Sequence, residues 1–103
     1  MVMDVTSCIL LLEVDENVHQ GSNYTVACEA SRMADINAYL RLRGYEQPIY
    51  WLCFNPDGAY FVGGKQKIVS REERGLALKH RLLSMMEPEY APTKNVNIEY
   101  MFY

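Results

Sequence analysis

Pro48-Ile49-Tyr50-Trp51-Leu52-Cys53-Phe54-Asn55-Pro56-Asp57-Gly58 is the stretch on which the fold turns. Ile49 to Phe54 carries no polar break. A short run apolar on both faces reads as a central strand buried between two layers. Asn55-Pro56-Asp57-Gly58 has strong turn chemistry and ends it. Upstream, Val26, Ala30, Met33, Ile36 or Asn37, and Leu40 recur at helical spacing, which predicts a helix from about Tyr24 to Arg43. Ser22 or Asn23 is placed to cap its start, and Gly44 to stop it. The short connection from Gly44 to Pro48 suits a helix returning to a sheet. Further upstream, Ile9 to Asp15 reads as a second strand, and residues 2–6 as another before it, with a turn near Thr6-Ser7.

Downstream, Gly63-Gly64 is a second break. A helix is expected over Ser70 to Met86. Ser70 and Glu73 have capping-box spacing, Gly75, Leu78, Leu82 and Met85 mark its core side, and Pro88 follows its end. Val96 to Tyr103 alternates, as a half-buried strand at a sheet edge does. The order is (β)βαβαβ, an α/β chain with a mixed β-sheet flanked by helices. No internal repeat or low-complexity segment interrupts it.

The chain has 103 residues, one domain's worth, with half of them hydrophobic and 22% charged. That balance argues against disorder. Net charge is −3, so no global basic field announces nucleic acid. A local basic strip exists: Lys65, Lys67, Arg71, Arg74, Lys79 and Arg81 against Glu72 and Glu73. It reads either as a solvated helix face or as a track for phosphates. Cys8, Cys28 and Cys53 form no CxxC pair and sit in apolar segments, so they are expected to be reduced and mostly buried. No apolar run approaches the roughly 20 residues of a membrane span, and no basic segment opens a signal peptide. The expectation is an intracellular protein, cytoplasmic or nuclear, without a membrane partner.

The chemistry concentrates in Leu12-Glu13-Val14-Asp15-Glu16-Asn17-Val18-His19. Residues two apart on a strand share a face. Glu13 and Asp15 then project together beyond Ile9 and Leu11. Two neighbouring carboxylates beside a core repel, and a hard divalent cation relieves that conflict. Glu16 and His19 follow at the carboxyl end of the strand, where α/β folds commonly place ligand sites. The plainer reading is that acidic residues mark a strand leaving the core.

Residues 11–19, LLEVDENVH, are followed by Tyr24, Cys28-Glu29-x-x-Arg32 and Gly44-Tyr45-x-x-Pro48-Ile49-x-x-Leu52-x-Phe54-Asn55-Pro56-Asp57. This resembles small nuclease-like proteins of giant viruses and algae. Those show an EIDE-x-x-H strand end, a tyrosine, a CE-x-x-R helix and a strand ending RFNPD. It is also similar to bacterial relatives of the very short patch repair endonuclease. All belong to the restriction-endonuclease-like superfamily. The resemblance is close over residues 9–57 and looser at the final IEYMFY.

The resemblance implies a minimal restriction-endonuclease-like core and Mg²⁺- or Mn²⁺-dependent hydrolysis of nucleic acid, DNA before RNA. It makes Glu13 and Asp15 the metal ligands, and His19 or Glu16 the proton acceptor. It makes Arg32 a partner of the acidic strand, with Glu29 and Asn55 supporting. Lys65, Lys67 and Arg71 would meet phosphates. Three departures stand out. Asp4 is the one candidate for a further acidic ligand, yet it lies closer to Glu13 in sequence than the family hairpin allows. The helix and strand that usually precede the site have no counterpart, which implies a trimmed fold or completion by a second copy. Cys53 stands where the family has arginine. These departures leave a silent relative as the alternative, binding nucleic acid or forming a homodimer through the edge strand 96–103. Base stacking on Tyr50, Trp51 or Phe54 is a remaining option.

Overall fold

The computed structural model describes residues 2–4, 7–14 and 26–103. Strands β1 (Val2–Asp4), β2 (Ile9–Val14), β3 (Ile49–Phe54) and β6 (Val96–Met101) form one sheet in the order β1-β2-β3-β6. β1 runs antiparallel to β2, whereas β2, β3 and β6 are parallel. The expected mixed sheet with flanking helices is present. All six residues of β3 are buried, as the unbroken apolar run requires.

Alternate residues of β3 serve two cores. Leu11, Ile49, Trp51 and Cys53 pack with Met33, Ile36 and Leu40 of α1 (Val26–Leu42). Cys8, Leu10, Tyr50 and Leu52 pack with Leu78, Leu82 and Met85 of α2 (Arg71–Met85). The helices therefore lie on opposite faces. Both steps across the sheet, β2 to β3 and β3 to β6, go the same way. The two crossovers consequently have opposite hands, and one departs from the usual right-handed rule. Cys8 and Cys53 are buried, as expected. Cys28 lies outside the described side chains.

On β6 the apolar row is the uncovered one. Val96, Ile98 and Tyr100 stand on the α1 face with 40–49% of their surface exposed. Asn97, Glu99 and Met101 face the α2 layer and are half-buried. Among the described residues α1 packs over β2 and β3, and the edge strand keeps this row half exposed.

Local signals set the ends of the elements. The α1 stop is a Schellman motif: Gly44 takes φ +89°, its N–H donates to Arg41 O, and the Tyr45 N–H donates to Leu40 O. Ser70 caps α2, its hydroxyl accepting from the Glu73 N–H at 3.1 Å. Gly63 and Gly64 both have positive φ and close a two-residue hairpin between β4 (Phe61–Val62) and β5 (Lys65–Gln66). The glycine pair is more than a break: a turn with both central residues left-handed matches the twist of two adjoining strands. Arg74, not Gly75, takes the core stripe of α2, because the buried Arg74 side chain reaches the loop after β3 while Gly75 faces out.

That loop is organised by Asn55, which is fully buried. Its Oδ1 accepts from the Gly58 N–H at 2.7 Å, and its Nδ2 donates to Ala59 O and Phe102 O. A Cβ at Gly58 would lie 2.7 Å from Asn55 Oδ1. Gly58→Ala must push aside a side chain held by all three bonds, so it is expected to cost about 2 kcal/mol. Gly75→Ala meets nothing within 4 Å on an exposed helix face. That change should stabilise by roughly 0.5–1 kcal/mol. Urea midpoints at constant slope check both, and equal midpoints for the two variants would contradict the packing account.

Candidate functional site

Because β2, β3 and β6 are parallel, all three leave the sheet at one end. Glu13 is the last residue but one of β2, level with Cys53 of β3. It continues the row of Leu11 and Trp51 onto the α1 face, where the apolar cover ends. Its side chain keeps 31% of its surface exposed. Arg32, one residue before the buried Met33 on α1, comes over Trp51, with Cζ 5.9 Å from the ring centroid. From there Nη1 donates to Glu13 Oε1 at 2.5 Å. This is the contact expected between helix and acidic strand, made through one nitrogen rather than a bidentate fork. Such a half-exposed pair contributes roughly 0–1 kcal/mol to stability. Its stronger effect is to aim a carboxylate. Glu13 Oε2 makes no hydrogen bond among the described residues.

Asp15, Glu16 and His19 lie outside the described residues, as does the side chain of Glu29. Among the described residues no three of His, Cys, Asp and Glu come together as a metal cluster. Asp4 pairs with Ile9, four residues back along β2 from Glu13. At about 3.3 Å per residue, the backbone register sets the two positions roughly 13 Å apart along the strand direction. Asn55 supports the turn of the FNPD segment through the three bonds described above and presents no free polar atom. Base stacking on β3 is excluded: Tyr50, Trp51 and Phe54 are at most 8% exposed. Trp51 also donates inward, from Nε1 to Asn37 Oδ1 at 2.8 Å.

The basic strip is divided by the fold. Lys65 is exposed on the hairpin and Lys67 at its base, where the Lys67 N–H donates to Tyr60 O. Arg71 is exposed and pairs with Asp57 at 3.3 Å. Arg74 and Arg81 turn toward the protein, Arg74 almost fully buried and Arg81 paired with Glu99. The turn after β3 and the hairpin beyond it follow from the same end of the sheet as Glu13. No protein-family model, curated protein or solved structure matches this chain.

A polar cluster that the sequence pattern did not reveal joins Arg81 of α2, Tyr50 of β3 and Glu99 of β6. Arg81 Nη2 lies 2.9 Å from Glu99 Oε1 and donates to the Tyr50 hydroxyl at 2.9 Å. The Tyr50 hydroxyl donates to Glu99 Oε1. The guanidinium also stacks over the Tyr50 and Tyr90 rings. The alternation of β6 hides this, since Asn97 and Glu99 between Val96, Ile98 and Tyr100 look like a solvent face. Burial, joined by the bond to Glu99 and opposed by Arg81, pushes the Tyr50 hydroxyl up to about 12. The Arg81 guanidinium is raised too, the bonds to Glu99 and Tyr50 outweighing desolvation.

The folded chain therefore holds the Tyr50 proton more tightly than the unfolded chain, whose tyrosine titrates near 10.0. The stability this supplies is whole below pH 10 and is lost progressively as pH rises toward about 12. Other tyrosines ionise in the same window, so the difference between the native chain and Tyr50→Phe isolates the effect. Denaturant melts should show the native chain's advantage shrinking across that interval. A constant difference at every pH would refute the assignment.

Proposed function

We propose that this chain is a metal-dependent nuclease, hydrolysing phosphodiester bonds in DNA in preference to RNA on a restriction-endonuclease-like core. The observation that carries the reading is the Glu13–Arg32 contact. It pairs the acidic end of β2 with the helical arginine of the Cys28-Glu29-x-x-Arg32 segment, two pieces that the family resemblance associates. The element order, with β2 leading through α1 to a parallel β3 that ends in Phe54-Asn55-Pro56-Asp57, supports it as well.

A hard divalent cation suits the oxygen chemistry of Glu13, whose second oxygen has no partner among the described residues, and Asp15 would be its companion ligand. When bound, Mg²⁺ or Mn²⁺ supplies charge neutralisation at the phosphate and acidifies a water. The chain's own residues do the remaining work. Arg32 fixes the Glu13 carboxylate. His19 or Glu16 takes the proton of the attacking water, help typically worth about 10²–10⁴-fold. Lys65 and Lys67 meet backbone phosphates, which sets affinity and salt dependence without choosing sequence.

A second reading, a silent relative that pairs with a copy of itself, is favoured by the exposed row Val96, Ile98 and Tyr100 on the edge strand. Cleavage separates the two. Nicked, branched, single-stranded and plasmid DNA should be cut with Mg²⁺ or Mn²⁺ and spared in EDTA. Glu13→Gln and Asp15→Asn should each reduce the rate by about 10²-fold or more. Arg32→Gln should cost roughly 10²-fold through misplacement of Glu13. Cleavage that survives both acidic substitutions would defeat the proposal. A mass that doubles with concentration, with no cleavage of any substrate, would favour the second reading.

A further inference from the structure

Arg74 is 96% buried, the complement of its 4% exposure, yet no carboxylate among the described residues pairs with it. Its Nε donates to Val69 O at 3.1 Å, and Nη1 donates to Asn55 O at 3.2 Å and Gly58 O at 2.9 Å. The rings of Tyr60 and Phe102 flank the guanidinium at 5.9 and 5.4 Å. These contacts satisfy Nε and Nη1 and hold the group rigidly. Carbonyl dipoles and ring faces soften a positive charge but do not cancel it, and an uncompensated buried charge is costly. Nη2 makes no hydrogen bond among the described residues and is not sealed from solvent.

Arg74 lines a cleft of about 330 Å³ between the turn after β3 and residues 66–69. Gln66 and Lys67 line the same space. Among the described residues its one acidic wall residue, Asp57, is paired with Arg71. The cleft thus has a fixed guanidinium, an ammonium and a neutral amide in its lining, with the Asp57 carboxylate already partnered. The volume lies in the range of small-ligand sites.

We propose that this cleft binds a phosphate group, with Arg74 as its fixed anchor and Lys67 as its flexible second contact. A planar guanidinium matches phosphate oxygens, and the buried setting strengthens the attraction. The occupant is a free phosphate or a phosphate of a nucleic-acid strand. Only the second source rests on the nuclease reading. In that case the cleft grips the strand away from Glu13, at the turn after β3, and contributes affinity rather than chemistry.

Calorimetric titrations at constant ionic strength in EDTA, on the Glu13→Gln chain, test this without any cleavage. The probes are inorganic phosphate, a short oligonucleotide with a 5′-phosphate, and the same oligonucleotide with a 5′-hydroxyl. Inorganic phosphate should bind saturably at one site. Lys67→Glu should weaken it about tenfold, whereas Lys94→Glu, at the opposite end of the sheet, should leave it unchanged. Arg74→Lys, where it folds, should weaken it further. Tighter binding of the 5′-phosphorylated strand identifies a strand end as the source, and equal binding of both strands identifies internal phosphodiesters. Preference for inorganic phosphate over both strands identifies the free ion. No saturable binding by any probe, or binding indifferent to Lys67→Glu, overturns the proposal. A chain that cleaves DNA yet fails here loses only the cleft. A chain that binds phosphate but never cleaves loses only the hydrolase.

Discussion

The burial of β3 on both faces is the constraint from which the other features follow. A strand with Trp51, Leu52 and Cys53 all at 1% exposure or less cannot stand at an edge or under a single layer. It needs a strand on each side, which β2 and β6 supply, and a helix over each face, which α1 and α2 supply. Parallel neighbours are the economical answer, because each crossover then delivers a helix to the sheet. One consequence is chemical. Three parallel strands release their loops at one end, so the acidic end of β2 and the turn of β3 emerge side by side.

Arginine is the second organising element. Arg41 ties the return from α1 by donating to Tyr45 O and Gln47 O. Arg74 holds the turn after β3, Arg81 joins three elements through Glu99 and Tyr50, and Arg32 joins helix to strand at Glu13. A planar fork with five donors can bridge backbone carbonyls and carboxylates that a lysine would satisfy only one at a time. The acidic chain thus keeps much of its positive charge as internal bracing. Fewer basic groups remain on the outside than the strip from Lys65 to Arg81 suggests.

The candidate site shares that logic. Glu13 sits where the α1 cover ends, half in and half out. Arg32 reaches it because its neighbour Met33 is anchored in the core. Position is set by packing, and the polar contact is a by-product of where the helix is pinned. Asn55 shows the same division: the motif residue expected to support the site spends its side chain on three bonds that shape a turn.

Local chemistry made much of this legible in advance. The unbroken run from Ile49 to Phe54, the helical spacing of Met33, Ile36 and Leu40, the Gly44 stop and the Ser70 cap each depend on neighbours within a few residues. Their physics is therefore written in short windows. The pairing of Arg32 with Glu13 was also accessible, since helix periodicity puts Arg32 beside a core position. Tertiary structure alone decided the rest. Whether Asp4 lies near Glu13 depends on strand register, and the register places it opposite Ile9. Whether Val96, Ile98 and Tyr100 face a core depends on how far α1 extends across the sheet. Whether Arg74 and Arg81 meet solvent or the interior depends on which carbonyls and carboxylates other segments bring to them. Those are contacts between residues far apart in the chain, and composition and spacing carry no record of them.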